Sequence, residues 1–319
     1  MKFFAVAAAV CLAGSLPGAQ LCAQKEDLSP AESYSEVQSA LMLQDADSVL
    51  SVPYLLNGAP QLRWYSMFTN VPGDWVNMGE RVFRPESIPA LGGIALATGV
   101  LMAVDHLSYT YCHGIYTRSA DVRFASNQFL RLGDGRTTLG IAAAFGVYGF
   151  IGDDGRALRT ASGTVEAFIA SGITVQLFKR IAGRESPQAA TQPNGKWHPF
   201  PGIEVYNRHQ SRYYAFPSGH ITTLMSTVTV VSENYPDEHW IRPAGCALVG
   251  LTGVSLVNRG WHWYSDFPLA IAMGYTFGKI AAHHYDDTPE PAGGPGTTSL
   301  SVMPGITHEG AGVMLALRF

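Results

Sequence analysis

From Ile88 onward the chain alternates apolar stretches of helical length with short clusters of breakers, and this alternation limits it to one kind of architecture. The apolar stretches are Ile88–Val104, Leu139–Gly152, Thr164–Phe178, Ile221–Val231, Pro243–Val257 and Phe267–Ala282. Between them lie Gly133-Asp134-Gly135, Asp153-Asp154-Gly155, the long interval Pro187–Pro217, Tyr235-Pro236 and the polar run Asn258–Ser265. Segments this long are read as helices, and the breakers as their caps and turns. The expectation is therefore an all-α bundle of about six core helices.

The flanks differ in character. Met1-Lys2, the apolar run Phe3–Leu16 and the small residues up to Gln24 have the order of a secretory leader, giving a signal peptide over 1–24. Cys22 follows Ala19-Gln20-Leu21, a poor setting for lipid attachment. Residues 25–87 form a mixed N-terminal extension. Within it, Asp74–Phe83 has apolar residues at helical spacing and is closed by Pro85. The helical domain is assigned to 88–285. A linker and tail follow over 286–319, where Leu300–Met303 and Val313–Phe319 read as a short β-hairpin. An oxidising compartment would let Cys112 and Cys246 pair, although Cys246 also suits a small buried apolar position.

A bilayer span needs about 20 apolar residues. Ile88–Val104 comes nearest, whereas Glu166 and Gln176 interrupt the third segment and Thr and Ser fill the fourth. With a cleaved leader and residue 25 outside, three spans would leave Lys179 on the inner side. A soluble or peripherally held periplasmic domain avoids that conflict and is the reading taken, although an uncleaved leader acting as a span would avoid it too. The net charge of −4 provides no basic stripe, which argues against a nucleic-acid partner.

Three polar clusters sit at segment ends. Lys179, Arg180, Arg184 and Pro187 close the third apolar segment, Pro217-Ser218-Gly219-His220 opens the fourth, and Arg259, His262 and Asp266 lie between the fifth and sixth. Antiparallel neighbours would bring the first two to one rim. A helix N-terminus at Gly219 offers N–H donors and partial positive charge to an anion. Dense cationic charge beside two histidines suits phosphoryl transfer. His262 is the candidate nucleophile, Asp266 one helical turn on would hold its imidazole, and His220 would protonate the leaving oxygen. Lys179, Arg184, Ser218, Gly219 and Arg259 are the candidate phosphate-binding residues.

The order Lys179…Arg184-Glu185-Ser186-Pro187, then Pro217-Ser218-Gly219-His220, then Ser255…His262-Trp263-Tyr264-Ser265-Asp266 resembles the phosphatidic acid phosphatase type 2 superfamily. That superfamily shares its helical core with class A acid phosphatases and vanadium haloperoxidases, and the resemblance spans roughly Ile88 to Ala282. It implies a cell-envelope phosphatase acting through a phosphohistidine on a phosphate monoester or pyrophosphate, with a lipid-linked substrate ahead of a small molecule, and with no cofactor and no metal. Two family arginines are missing: their positions hold Ser186 and Leu256, with Arg184 and Arg259 nearby. A phosphatase for soluble esters, a vanadium haloperoxidase and a non-catalytic envelope protein of the same fold stay open as alternatives. His283-His284 and Asp286-Asp287 lack a third ligand cluster in the sequence and are not assigned a metal. The loop Trp197-His198-Pro199-Phe200 is either a lid or loop packing.

Overall fold

The computed structural model describes residues 65–284 and, for backbone alone, 299–307 and 310–318. The leader 1–24, Cys22 and most of the extension lie outside the described residues. The body 65–284 is all-α. Two helices, α1 (Ser66–Thr69) and α2 (Val71–Val82), precede α3 (Ile88–Arg118), α4 (Ala120–Leu132), α5 (Gly135–Gly152) and α6 (Gly155–Ala182). After a loop that carries α7 (Ile203–Arg208) come α8 (Gly219–Asn234), α9 (Ile241–Arg259) and α10 (Phe267–His283). Strands β1 (Ser299–Thr307) and β2 (Gly310–Arg318) are set antiparallel, with Met303 opposite Met314.

The breakers act as caps. Asp134 accepts the N–H of Arg136 at 2.9 Å and starts α5. Asp153 closes α5 in the left-handed region at φ 50°, and the next residue, Asp154, accepts the N–H of Ala157 at 3.1 Å to start α6. Each side chain satisfies a backbone donor that the helix leaves open.

Helix α8 is the axis of the body, buried along most of its length and packed against α6, α9 and α10. Its Ile221, Leu224, Met225 and Val228 share a core with Val249 and Phe267. The α8–α10 seam is close because α10 presents Gly274 and Gly278. A Cβ at 274 would sit 2.4 Å from the Thr222 carbonyl oxygen, and one at 278 would sit 2.6 Å from Thr229 Cβ. Small residues one turn apart let two backbones approach in this way.

The outside of the bundle carries many exposed apolar side chains. On α3, Leu96, Val100, Leu107 and Tyr111 are each at least 60% exposed, and on α5 so are Tyr148, Phe150 and Ile151. The stretch Pro85–Arg118 and helix Ile241–Arg259 are long and apolar enough to cross a membrane. Apolar patches on this scale mark contact with lipid or protein. The first apolar segment, expected over Ile88–Val104, lies in a helix that runs on through Asp105 to Arg118. Cys112 and Cys246 are not joined to each other. Cys112 instead lies 3.6 Å from the Tyr264 hydroxyl.

Candidate functional site

The three polar clusters meet at one end of the bundle. Lys179 stands in the last turn of α6, Ser218, Gly219 and His220 open α8, and His262 and Asp266 lie in the turn from α9 into α10. Backbone bonds lace them together. The Ser218 N–H donates to the Asp266 carbonyl at 3.2 Å, and the Ala215 N–H donates to the Arg184 carbonyl at 3.1 Å. The Trp263 indole donates to the Glu185 carbonyl at 2.8 Å. The loop after α6 is held down as Arg184 bridges to Trp197 on one side and Tyr214 on the other.

His262 is 1% exposed, and its Nδ1 donates to the Ala215 carbonyl at 2.7 Å. That bond fixes the tautomer, because a carbonyl can only accept, and leaves Nε2 with its lone pair. Asp266 was expected to hold this ring directly. Its Oδ2 is 3.5 Å from Nδ1, close enough to favour an imidazolium, but it accepts the Trp263 N–H at 2.7 Å. Burial lowers the His262 pKa, against the pull of Asp266.

The His220 ring centre is 6.4 Å from that of His262 and 5.7 Å from that of Trp261. Burial first, then His262 and Lys179, push its pKa down to about 4. The Lys179 ammonium lies 5.2 Å from the centre of the Tyr214 ring. It also lies 3.6 Å from where a Cβ on Gly219 would be, an ordinary contact distance. Ser218 is fully buried and caps α8, its Oγ 3.5 Å from the Ile221 nitrogen.

Arg184 is placed differently from the expectation that it clamps phosphate. It is 0% exposed. One terminal nitrogen donates to Asp266 Oδ1 and Ser265 Oγ, both at 2.6 Å. The other donates to Asp105 Oδ2 and the Asn194 carbonyl, both at 2.9 Å. The reason is electrostatic: two buried carboxylates require a cation between them, and the fork of a guanidinium serves both. Arg259 is exposed, donates to the Tyr116 hydroxyl at 2.7 Å and lies 5.8 Å from the Trp261 ring centre. Leu256, at a missing family arginine, is wholly buried in the core cluster, and Ser186 is buried as well. Lys179 is the candidate cation whose charge acts on both histidines.

Sequence reasoning passed over Asp105. A lone acid within an apolar helix was the available signal, since intramembrane charges are costly unless paired. Its Oδ1 accepts the Ser265 N–H at 3.2 Å, and its Oδ2 accepts the Ser265 hydroxyl. Trp197 packs on Phe216 with ring centres 5.2 Å apart, which accounts for that part of the loop as packing.

The model of the PAP2 superfamily matches residues 162–289. The match takes in α6 from residue 162 on, with α8, α9 and α10, and so all three clusters. It begins well after Ile88, where the resemblance was expected to start, so α3 to α5 lie outside the matched PAP2 region. A search of curated proteins finds no match. Among solved structures, the chain is similar to the first transmembrane PAP2 type phosphatidylglycerolphosphate phosphatase from Bacillus subtilis. The TM-score is 0.45 and the identity 15%, over 60% of this chain and 94% of that one.

Proposed function

We propose that this chain is a membrane-held PAP2-type phosphatase that hydrolyses a phosphate monoester or pyrophosphate on a lipid. The observation that carries the reading is the pairing of a tautomer-fixed His262 with His220 across the mouth of a helix N-terminus, beside Lys179. In the proposed cycle, His262 Nε2 attacks phosphorus while His220 gives its proton to the leaving oxygen, forming a phosphohistidine and a free alcohol or phosphate. His220 then takes a proton from water as that water attacks phosphorus. Phosphate departs and His262 is restored. The N–H groups opening α8 and the Lys179 ammonium stabilise the charge on the transferring group.

Membrane residence rests on the exposed apolar faces, with α3 and α9 as the proposed spans. A lipid substrate is further supported by Phe200, Ile203 and Val205, exposed on the loop between Arg184 and His220. A second reading, a non-catalytic PAP2 protein, is favoured by the engagement of Arg184 with carboxylates and by the apolar Leu256. The full chain in detergent, assayed on a phosphatidate-like lipid and on an aryl phosphate with and without vanadate, separates the two. Vanadate-sensitive release of phosphate, faster from the lipid, supports the phosphatase. No release from either substrate supports the second reading.

A further inference from the structure

At the far end of the bundle the same helices enclose a second polar cluster. Glu166 lies thirteen residues before Lys179 on α6, about 20 Å along the axis at 1.5 Å per residue. His284 follows the far end of α10, whose near end adjoins Asp266. Asp74 comes from α2. Asp74, Glu166 and His284 each present one ligand atom, all within 4.8 Å of one another.

The carboxylates are deeply placed. Glu166 is 0% exposed and Asp74 1%. The His284 Nδ1 is 2.6 Å from Glu166 Oε1 and 3.4 Å from Asp74 Oδ1. Neither Asp74 oxygen has a hydrogen-bond partner among the described residues. A carboxylate kept from water accepts bonds, becomes neutral or meets a cation. Asn70 donates to Glu166 Oε2 at 2.9 Å and orients it, the supporting contact a liganding carboxylate commonly receives.

We propose that Asp74, Glu166 and His284 bind one divalent transition-metal ion of the zinc or manganese kind. The mixed nitrogen and oxygen donors fit such an ion better than calcium or magnesium, which prefer oxygen alone. Bonds of about 2.1 Å hold neighbouring ligand atoms about 3.0 Å apart at octahedral and about 3.4 Å apart at tetrahedral angles, so the Glu166–His284 pair, now at 2.6 Å, opens by about 0.4–0.8 Å. The partly exposed His284 leaves an entry side. The ion pins α2 to α6 and α10 without touching the phosphate site, so its role is structural.

The test uses the full chain in detergent, stripped with chelator and titrated with Zn2+ or Mn2+. One equivalent stays bound after desalting, and Tm rises by about 5–10 °C at a hundredfold excess over Kd. Asp74→Asn and His284→Ala abolish both effects, and His283→Ala retains them. Should the variants not fold, carbethoxylation of His284 in the wild-type chain, read by mass spectrometry, falls at least tenfold when the metal is present. Three results would overturn the proposal: no retained metal, retention unchanged by both site variants, or unprotected His284. Each would leave the cluster as a proton-sharing triad. None of these readouts depends on phosphatase activity.

Discussion

Two clusters of buried charge lie at opposite ends of one set of helices and are balanced in different ways. At the phosphate end Arg184 sits between Asp105 and Asp266, and each carboxylate has a guanidinium nitrogen within 2.9 Å. At the far end two carboxylates face one histidine, and neither Asp74 oxygen accepts a hydrogen bond among the described residues. In the first cluster both terminal guanidinium nitrogens are engaged by these carboxylates, and only Nε is without a partner among the described residues. In the second, burial and the facing Glu166 carboxylate raise the Asp74 pKa to about 8. An arginine close to a phosphate motif is therefore not by itself a phosphate ligand.

The largest expected effect at the phosphate end comes from His220→Ala, which lowers kcat by about 10²- to 10⁴-fold on a lipid phosphate. The loss is smaller on an aryl phosphate, whose leaving group needs less help from an acid. Steady-state assays on both substrates check this. An equal loss on the two would remove His220 from its role as the acid.

Arg184→Met sharpens the contrast with the far end. It leaves two buried carboxylates without their cation and costs about 3–5 kcal/mol of stability, read by denaturation in detergent. Arg184→Lys rescues little, since one ammonium does not reproduce the fork. Were Arg184 instead a phosphate clamp, stability would hold and KM would rise.

The pH profile of kcat/KM follows from the two histidines of the free enzyme. The productive form has His220 protonated and His262 neutral. With His220 at about 4 and His262 lowered from its ordinary value, that form is most populated on the acid side. The maximum is expected below pH 6.5. Above it activity falls as His220 loses its proton, and at low pH as His262 gains one. A maximum above pH 7.5 would contradict this assignment.

The smallest effect is expected at the far end. In metal-free protein Asp74→Asn removes one of two facing carboxylates and shifts stability by no more than about 1 kcal/mol in either direction. A loss as large as that of Arg184→Met would show the two ends to be equally paired, and the comparison would fail.

Much of this was legible in the chain. The six apolar stretches each fall within a helix, because Gly133-Asp134-Gly135 and Asp153-Asp154-Gly155 carry cap chemistry that works locally. The amphipathic helix Ala120–Leu132 was passed over, since its polar face hides it from a search for apolar runs. The rim was legible too, because its three clusters close or open consecutive elements. The partners of Arg184 were not. Asp105 is 79 residues upstream and Asp266 is 82 downstream, so nothing near Arg184 in the sequence marks them. The Glu166–His284 contact spans 118 residues and was hidden for the same reason.

The central claim is that His262 carries the phosphoryl group. Brief incubation with a ³²P-labelled phosphate ester, alkaline denaturation and peptide mapping test it most directly. The account predicts an acid-labile label on the peptide containing His262, absent from His262→Ala. A wild-type chain that turns over substrate with no label, or a label that survives in His262→Ala, would contradict it.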